Sequence, residues 1–142
     1  MRAVTFSEVD LKFIAYERYH FPDPQVQRKM EVLWLLHHGE TIHLGDIELS
    51  VISLRGHTPG SVALHYRDPA GHSHLFTGDS LFPGGPGNTQ GDPERFGQLI
   101  TDLEDRIFAE LPDGTWVYPG HGADTTIGTE RPHVPEWRAR GW

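Results

Sequence analysis

An α/β fold is predicted for this chain, a mostly antiparallel sheet with a helix, preceded by a helical pair, and three observations predict it. Apolar residues recur at helical spacing as far as about residue 37, alternate after Thr41, and return once to helical spacing between Phe96 and Phe108. Composition changes at the same seam. Both Lys residues, Lys12 and Lys29, precede residue 40, whereas 15 of the 16 Gly residues follow Gly39. The chain is therefore divided into a helical segment, 1–40, and a sheet-bearing segment, 41–142.

Ser7 with Asp10 reads as an N-cap and an acidic first turn, and Val9, Phe13, Ile14 and Tyr16 carry a first helix to His20. Phe21-Pro22-Asp23-Pro24 stops it. A second helix is expected from Pro24 or Gln25, with Val26, Met30, Leu33 and Leu36 or His37 on one stripe and Gly39 as its stop. Ile47, Leu49 and Val51 then alternate with Glu48 and Ser50, and Val62, Leu64 and Tyr66 alternate again, so both runs are strands. Asp68-Pro69-Ala70-Gly71 has the residues a type I turn favours and joins the second strand to one through Leu75 and Phe76. Pro83 to Gly91 is rich in Gly and Pro and reads as a shaped loop. Asp92 caps a helix with Pro93 in its first turn, and Phe96, Leu99, Ile100, Leu103, Ile107 and Phe108 form its apolar stripe. Pro112-Asp113-Gly114 ends that helix, and Trp116 to Tyr118 reads as a short buried strand.

At 142 residues the chain suits one domain with a modest core. A formal charge of -8 opposes binding to phosphate backbones and acidic membranes. With no Cys there is neither disulfide nor thiolate, so any metal must be held by His and carboxylates. Met1 to Asp10 lacks the apolar core of a signal peptide and no stretch reaches membrane-spanning length, which makes the cytoplasm the expected location.

Three short motifs each place one metal-competent side chain just past a predicted strand: Gly56-His57-Thr58-Pro59-Gly60-Ser61, Gly78-Asp79-Ser80 and Gly120-His121-Gly122. Flanking Gly residues let the backbone turn sharply, so a ligand can be aimed from a strand end into a cleft. One such motif alone is common in ordinary turns. The repeated placement is the signal, and imidazole with carboxylate suits zinc, iron or manganese.

The order, spacing and flanks of these motifs resemble the metallo-β-lactamase superfamily, nearest to its glyoxalase II-like hydrolases, over about Thr41 to Trp142. The resemblance implies that the predicted sheet and helix are half of a metallo-β-lactamase αββα sandwich. It implies that His57 binds a first metal, Asp79 bridges two and His121 binds the second, with zinc the expected ion and iron or manganese its alternatives. It also implies hydrolysis of a small-molecule thioester, ester or lactam, in which two cations hold a hydroxide of lowered pKa and stabilise the oxyanion formed on the carbonyl. Leu81 to Thr89 is similar to the family's Gly-rich active-site loop, and Arg131-Pro132-His133 to Trp142 to its C-terminus. The departure is the family's H-x-H-x-D-H motif, source of the other four ligands, which does not occur in these residues. His72-Ser73-His74 is followed by Leu75 and Phe76 and is read as structural, as are His20, His37, His38, His43, His65 and His133. Three ligands divided between two ions fall below the three protein ligands of a catalytic zinc, so full activity is not expected of this chain unless another polypeptide supplies the rest.

Tyr16 to Leu36 resembles the start of helix-turn-helix modules in transposases of bacterial insertion elements, over about residues 5–40. The recognition helix of such modules has no counterpart, because the strand pattern begins first. Residues 1–40 hold 5 basic and 6 acidic side chains, so no nucleic-acid partner is expected. The combined reading is a fusion near Gly39-Glu40-Thr41 that leaves one sheet face uncovered. Val9, Phe13, Leu33, Trp34 and Leu36 would partly cover that face, or a homodimer or partner chain would. Three functions follow: a metal-dependent hydrolase or its incomplete descendant, a non-catalytic remnant, and a DNA-associated helical module. For the last, titration against random duplex DNA is expected to show no salt-dependent binding; a steep fall of affinity with salt would restore it.

Overall fold

The computed structural model describes residues 6–26 and 41–141. The first helix, α1 (Glu8–His20), begins at a reciprocal cap: the Ser7 hydroxyl accepts from the Asp10 N–H at 3.2 Å and the Asp10 carboxylate accepts from the Ser7 N–H at 3.1 Å. It ends where Phe21, ahead of Pro22, turns extended. Of its apolar residues only Ile14 is buried, while Val9, Phe13 and Tyr16 are exposed, so Val9 and Phe13 do not serve as the expected cover of the sheet. Pro24, Gln25 and Val26 are helical where the second helix is expected to start, with the Gln25 N–H donating to Asp23. Leu33, Trp34, Leu36, His37, His38 and the stop at Gly39 lie outside the described residues.

From Thr41 the chain builds β1 (Thr41–Leu44), β2 (Ile47–Ser53), β3 (Val62–Arg67) and β4 (Ser73–Gly78) as an antiparallel meander. The turn between β3 and β4 is closed as its residues demand, by Gly71 N–H to Asp68 O and Asp68 N–H to His72 O, both at 2.9 Å. A two-stranded hairpin follows, β5 (Leu81–Phe82) with β6 (Gly85–Pro86), whose turn and second strand fall in the segment read as a shaped loop. The helix α2 (Pro93–Leu103) starts at Asp92, whose carboxylate accepts from the N–H groups of Glu94 and Arg95. The chain then adds β7 (Trp116–Pro119), parallel to β4, and β8 (Thr125–Thr126), antiparallel to β7. The sheet order is β1-β2-β3-β4-β7-β8. Closing the chain are α3 (Ile127–Glu130), one 3-10 turn (Arg131–His133) and α4 (Val134–Arg140), ended by Gly141 in the left-handed region. Among the described residues no helix is long and apolar enough to cross a membrane.

One element differs from expectation. The apolar stripe predicts a single helix through Phe108, whereas α2 stops at Leu103 and Glu104–Phe108 forms a widened turn, with the Ala109 N–H on Glu104 O at 2.9 Å. The extra residue in that turn lets the neighbours Ile107 and Phe108 both reach the core. They join Leu99, Ile100 and Leu103 against one face of the sheet, which offers Ile52, Ala63, Leu75 and Val117, and Trp137 of α4 closes the cluster. The register puts Leu49, Tyr66, His74 and Trp116, and likewise Leu64, Phe76 and Tyr118, on the opposite face. There Phe76 and Trp116 are exposed, so this face carries aromatic side chains to solvent.

His65 points to the core side, where its Nε2 lies 2.7 Å from Ser73 Oγ, which also accepts from Thr115 Oγ1 at 3.0 Å. Burial holds its pKa below the ordinary imidazole value, and the charges of Arg67 and His74 push the same way. Protonation is then easier in the unfolded chain, at about pH 6.5, than in the folded one. The stability linked to neutral His65 is full above that value and is lost as pH falls toward the lower folded pKa. Urea unfolding at about pH 7 and about pH 5 is expected to show a smaller loss of stability in His65→Gln than in the native chain; equal losses would remove His65 as a source.

Candidate metal centre

Strand direction gathers the three predicted ligands. Because β2 and β4 are each antiparallel to β3, they run the same way, and β7 is parallel to β4. The C-terminal ends of β2, β4 and β7 therefore open on one edge of the sheet, and His57, Asp79 and His121 are the residues that follow those ends. Asp79 comes from the middle strand and stands between the two imidazoles. Its Oδ2 lies 3.7 Å from His57 Nε2 and its Oδ1 lies 3.2 Å from His121 Nδ1. Each carboxylate oxygen thus faces a different histidine.

Close backbone contacts make this arrangement possible. A one-residue register shift between Phe76 and Gly78 swings the end of β4 toward β7, and the Gly120 N–H bonds Gly78 O at 2.8 Å. A Cβ at Gly120 would sit 2.7 Å from Asp79 Oδ1, and one at Gly87 would sit 1.7 Å from the Asp79 carbonyl oxygen. Glycine at both positions leaves the space the carboxylate and its backbone occupy. The β5–β6 hairpin also leans Phe82 on the ring of His121, with centroids 4.7 Å apart.

His57 is the best held of the three. Its Nδ1 lies 2.7 Å from the carbonyl oxygen of Asn88, which can only accept, so a neutral ring carries its proton there and leaves Nε2 free on the Asp79 side. The turn before it is pinned to α2. The buried carboxylate of Asp102 accepts from the Arg55 backbone N–H at 2.9 Å and from its guanidinium at 3.0 and 2.8 Å, which raises the Arg55 pKa further. Arg95 donates to Gly56 O, His57 O and Gln90 Oε1. By contrast the His121 side chain is 74% exposed, against 31% for His57, so little but Phe82 and Asp79 restrains it.

Asn88, Arg55, Asp102 and Arg95 were not singled out by sequence reasoning. Their only signal is a charged residue, Asp102, between the apolar Ile100 and Leu103 of the helix. Of the other described histidines, His72 Nδ1 lies 2.9 Å from Asp68 Oδ2 beside the hairpin turn, and His74 Nδ1 lies 3.0 Å from the Tyr118 hydroxyl. Among the described residues no three His, Cys, Asp or Glu side chains form a ligand set for one ion. The donors are instead distributed about Asp79, one His to each side.

Comparison with known proteins places this geometry in context. A family model described as the metallo-beta-lactamase superfamily matches residues 7–121, beginning inside the segment 1–40. The hydroxyacylglutathione hydrolase GloC of Haemophilus influenzae is 32% identical over 114 residues, which are 79% of this chain and 51% of that protein. Among solved structures, ETHE1 from Myxococcus xanthus is 32% identical and superposes with a TM-score of 0.60 over 71% of this chain and 44% of the other. TTHA1623, solved in a di-iron-bound form, is 36% identical with a TM-score of 0.50 over 63% of this chain and 42% of the other. The chain spans about half the length of the curated relatives it matches, 58%, 47% and 51% in three of them.

The contact between Gly56 and α2 is open to test. With φ at +137, a Cβ there would lie 2.5 Å from Leu99 Cβ and 2.6 Å from Arg95 O. Gly56→Ala is expected to destabilise the chain by about 3 kcal/mol through overpacking and strain together. Gly45→Ala, with φ +62 and open space around it, should cost only about 1 kcal/mol in urea unfolding. Equal costs would mean that the α2 contact does not constrain the turn.

Proposed function

The chain belongs to the metallo-β-lactamase superfamily, and from that premise we propose that it is part of a metal-dependent hydrolase acting on a thioester, ester or related carbonyl substrate. The observation that carries the proposal is Asp79, with each carboxylate oxygen turned to a different histidine at 3.7 and 3.2 Å. A relative 32% identical to the chain is named as a hydroxyacylglutathione hydrolase, which supports a small thioester-like substrate.

The donors suit a cation. Two imidazoles and a carboxylate match zinc and equally iron, and the superfamily to which the chain belongs generally binds metal ions. His57 would hold one ion through Nε2, His121 the other, and Asp79 would supply negative charge to both. Bound there, the ions would supply Lewis acidity toward a carbonyl oxygen. This chain's own residues do the holding: Asn88 O fixes the His57 proton on Nδ1, and Phe82 limits the swing of His121. Three donors over two positions leave each ion short of three protein ligands. In the proposal the remainder come from another polypeptide packed on the exposed aromatic face of the sheet. The same count favours a second reading, a non-catalytic remnant that keeps the fold without the metal.

Elemental analysis of the chain purified in the assembly that completes the site, with a second copy or a co-purified polypeptide, beside the same assembly carrying Asp79→Ala, separates the two. About two equivalents of zinc or iron, lost in the variant, is the expected result for the hydrolase reading. Substoichiometric metal that the substitution leaves unchanged would establish the remnant instead.

A further inference from the structure

Helix α2 grips the turn that carries His57 with a single stripe of its surface. Arg95, Leu99 and Asp102 stand at i, i+4 and i+7 and share a face. They meet Arg55, Gly56 and His57 in reverse order: Asp102 on Arg55, Leu99 on Gly56, and Arg95 on the carbonyls of Gly56 and His57.

Arg95 differs from its two neighbours because it spans two segments. Its Nε donates to Gly56 O at 2.9 Å and its Nη2 to His57 O, while its Nη1 donates to Gln90 Oε1 at 3.1 Å. The Gln90 N–H in turn donates to Asn88 Oδ1 at 2.6 Å, and Asn88 O is the acceptor for His57 Nδ1. The contacts close a ring, from the His57 imidazole through Asn88, Gln90 and Arg95 back to the His57 carbonyl. Nothing in the His57 turn itself supplies an acceptor to Nδ1; that acceptor lies 31 residues along the chain.

We infer that Arg95 is a positioning residue for His57, locking the turn to the Asn88 loop so that the imidazole keeps its proton on Nδ1 and presents Nε2 toward Asp79. A planar guanidinium meets three acceptors in two segments at once, which the single nitrogen of a flexible lysine cannot reproduce. The use of a free Nε2 to hold a cation rests on the metal reading above, but the position of the ring proton does not.

Ring-nitrogen NMR correlations of the metal-free chain at about pH 8, where an ordinary imidazole is neutral, test the inference. The native chain is expected to show His57 protonated on Nδ1. Arg95→Lys should shift it toward the Nε2–H form and weaken zinc binding by roughly tenfold to a hundredfold. Gln90→Asn gives a second route if Arg95→Lys does not fold. Gln90 has φ +60, a region Asn tolerates, and the shorter side chain withdraws the Arg95 acceptor while leaving the Gln90 backbone in place. It should shift the ring proton in the same direction. A folded variant of either kind that keeps the native tautomer overturns the inference. A tautomer shift in the variants, with no zinc bound even by the native chain assembled with the polypeptide that completes the site, would support the positioning role of Arg95 and sink the metal reading.

Discussion

Strand direction is the constraint on which the arrangement at the sheet edge depends. An antiparallel meander returns the chain to the same end only on every second strand, so β2 and β4 deliver their following residues together while β3 delivers none. The one parallel pairing among the described residues, β4 with β7, adds a third strand end to that edge. Had β7 paired antiparallel to β4, His121 would lie at the far end of the sheet. Spatial order then follows sequence order, and the carboxylate from the middle strand lies between the two imidazoles without any long side chain having to reach.

The crossover that parallel pairing requires is put to two uses. One stripe of α2, Phe96, Ile100 and Leu103, goes to the core, and an adjacent stripe holds the turn after β2. Asp102 is the costly member of the second stripe. Removing a carboxylate from water costs several kcal/mol, offset here by a backbone N–H, the Arg55 guanidinium and the approach of Arg106 at 3.5 Å. The carboxylate is nearly fully buried, whereas Arg55 keeps 45% of its side chain in solvent, so the pair lies at the boundary of the core.

Much of this was legible in the sequence where local chemistry decides the structure. Alternation through Ile47, Leu49 and Val51, the Asp68–Gly71 turn and the Asp92 cap each act within a few residues, and each element formed where its residues indicate. The Gly-flanked His57, Asp79 and His121 were legible for a related reason, since a glycine just past a strand lets the chain turn sharply there. Other features exist only through distant partners. In β1 and β8, of four and two residues, no period can show, and they are strands because β2 and β7 lie beside them. The widened turn at Glu104–Phe108 obeys the core and not its own spacing. Arg55 with Asp102 and Arg95 with His57 join residues 47 and 38 apart, beyond the reach of any periodicity.

The parallel pairing also bears on the order of assembly. The β2–β3–β4 meander closes through short connections, whereas β7 can dock on β4 only after the whole segment 79–115 has been looped out, and the entropy of closing so long a loop must be met before its contacts repay it. His57 and Asp79 thus reach their common edge while His121 is still on an unattached chain. In this order of assembly docking of β7 completes the trio, and its last member is expected with the slow, non-local phase of folding.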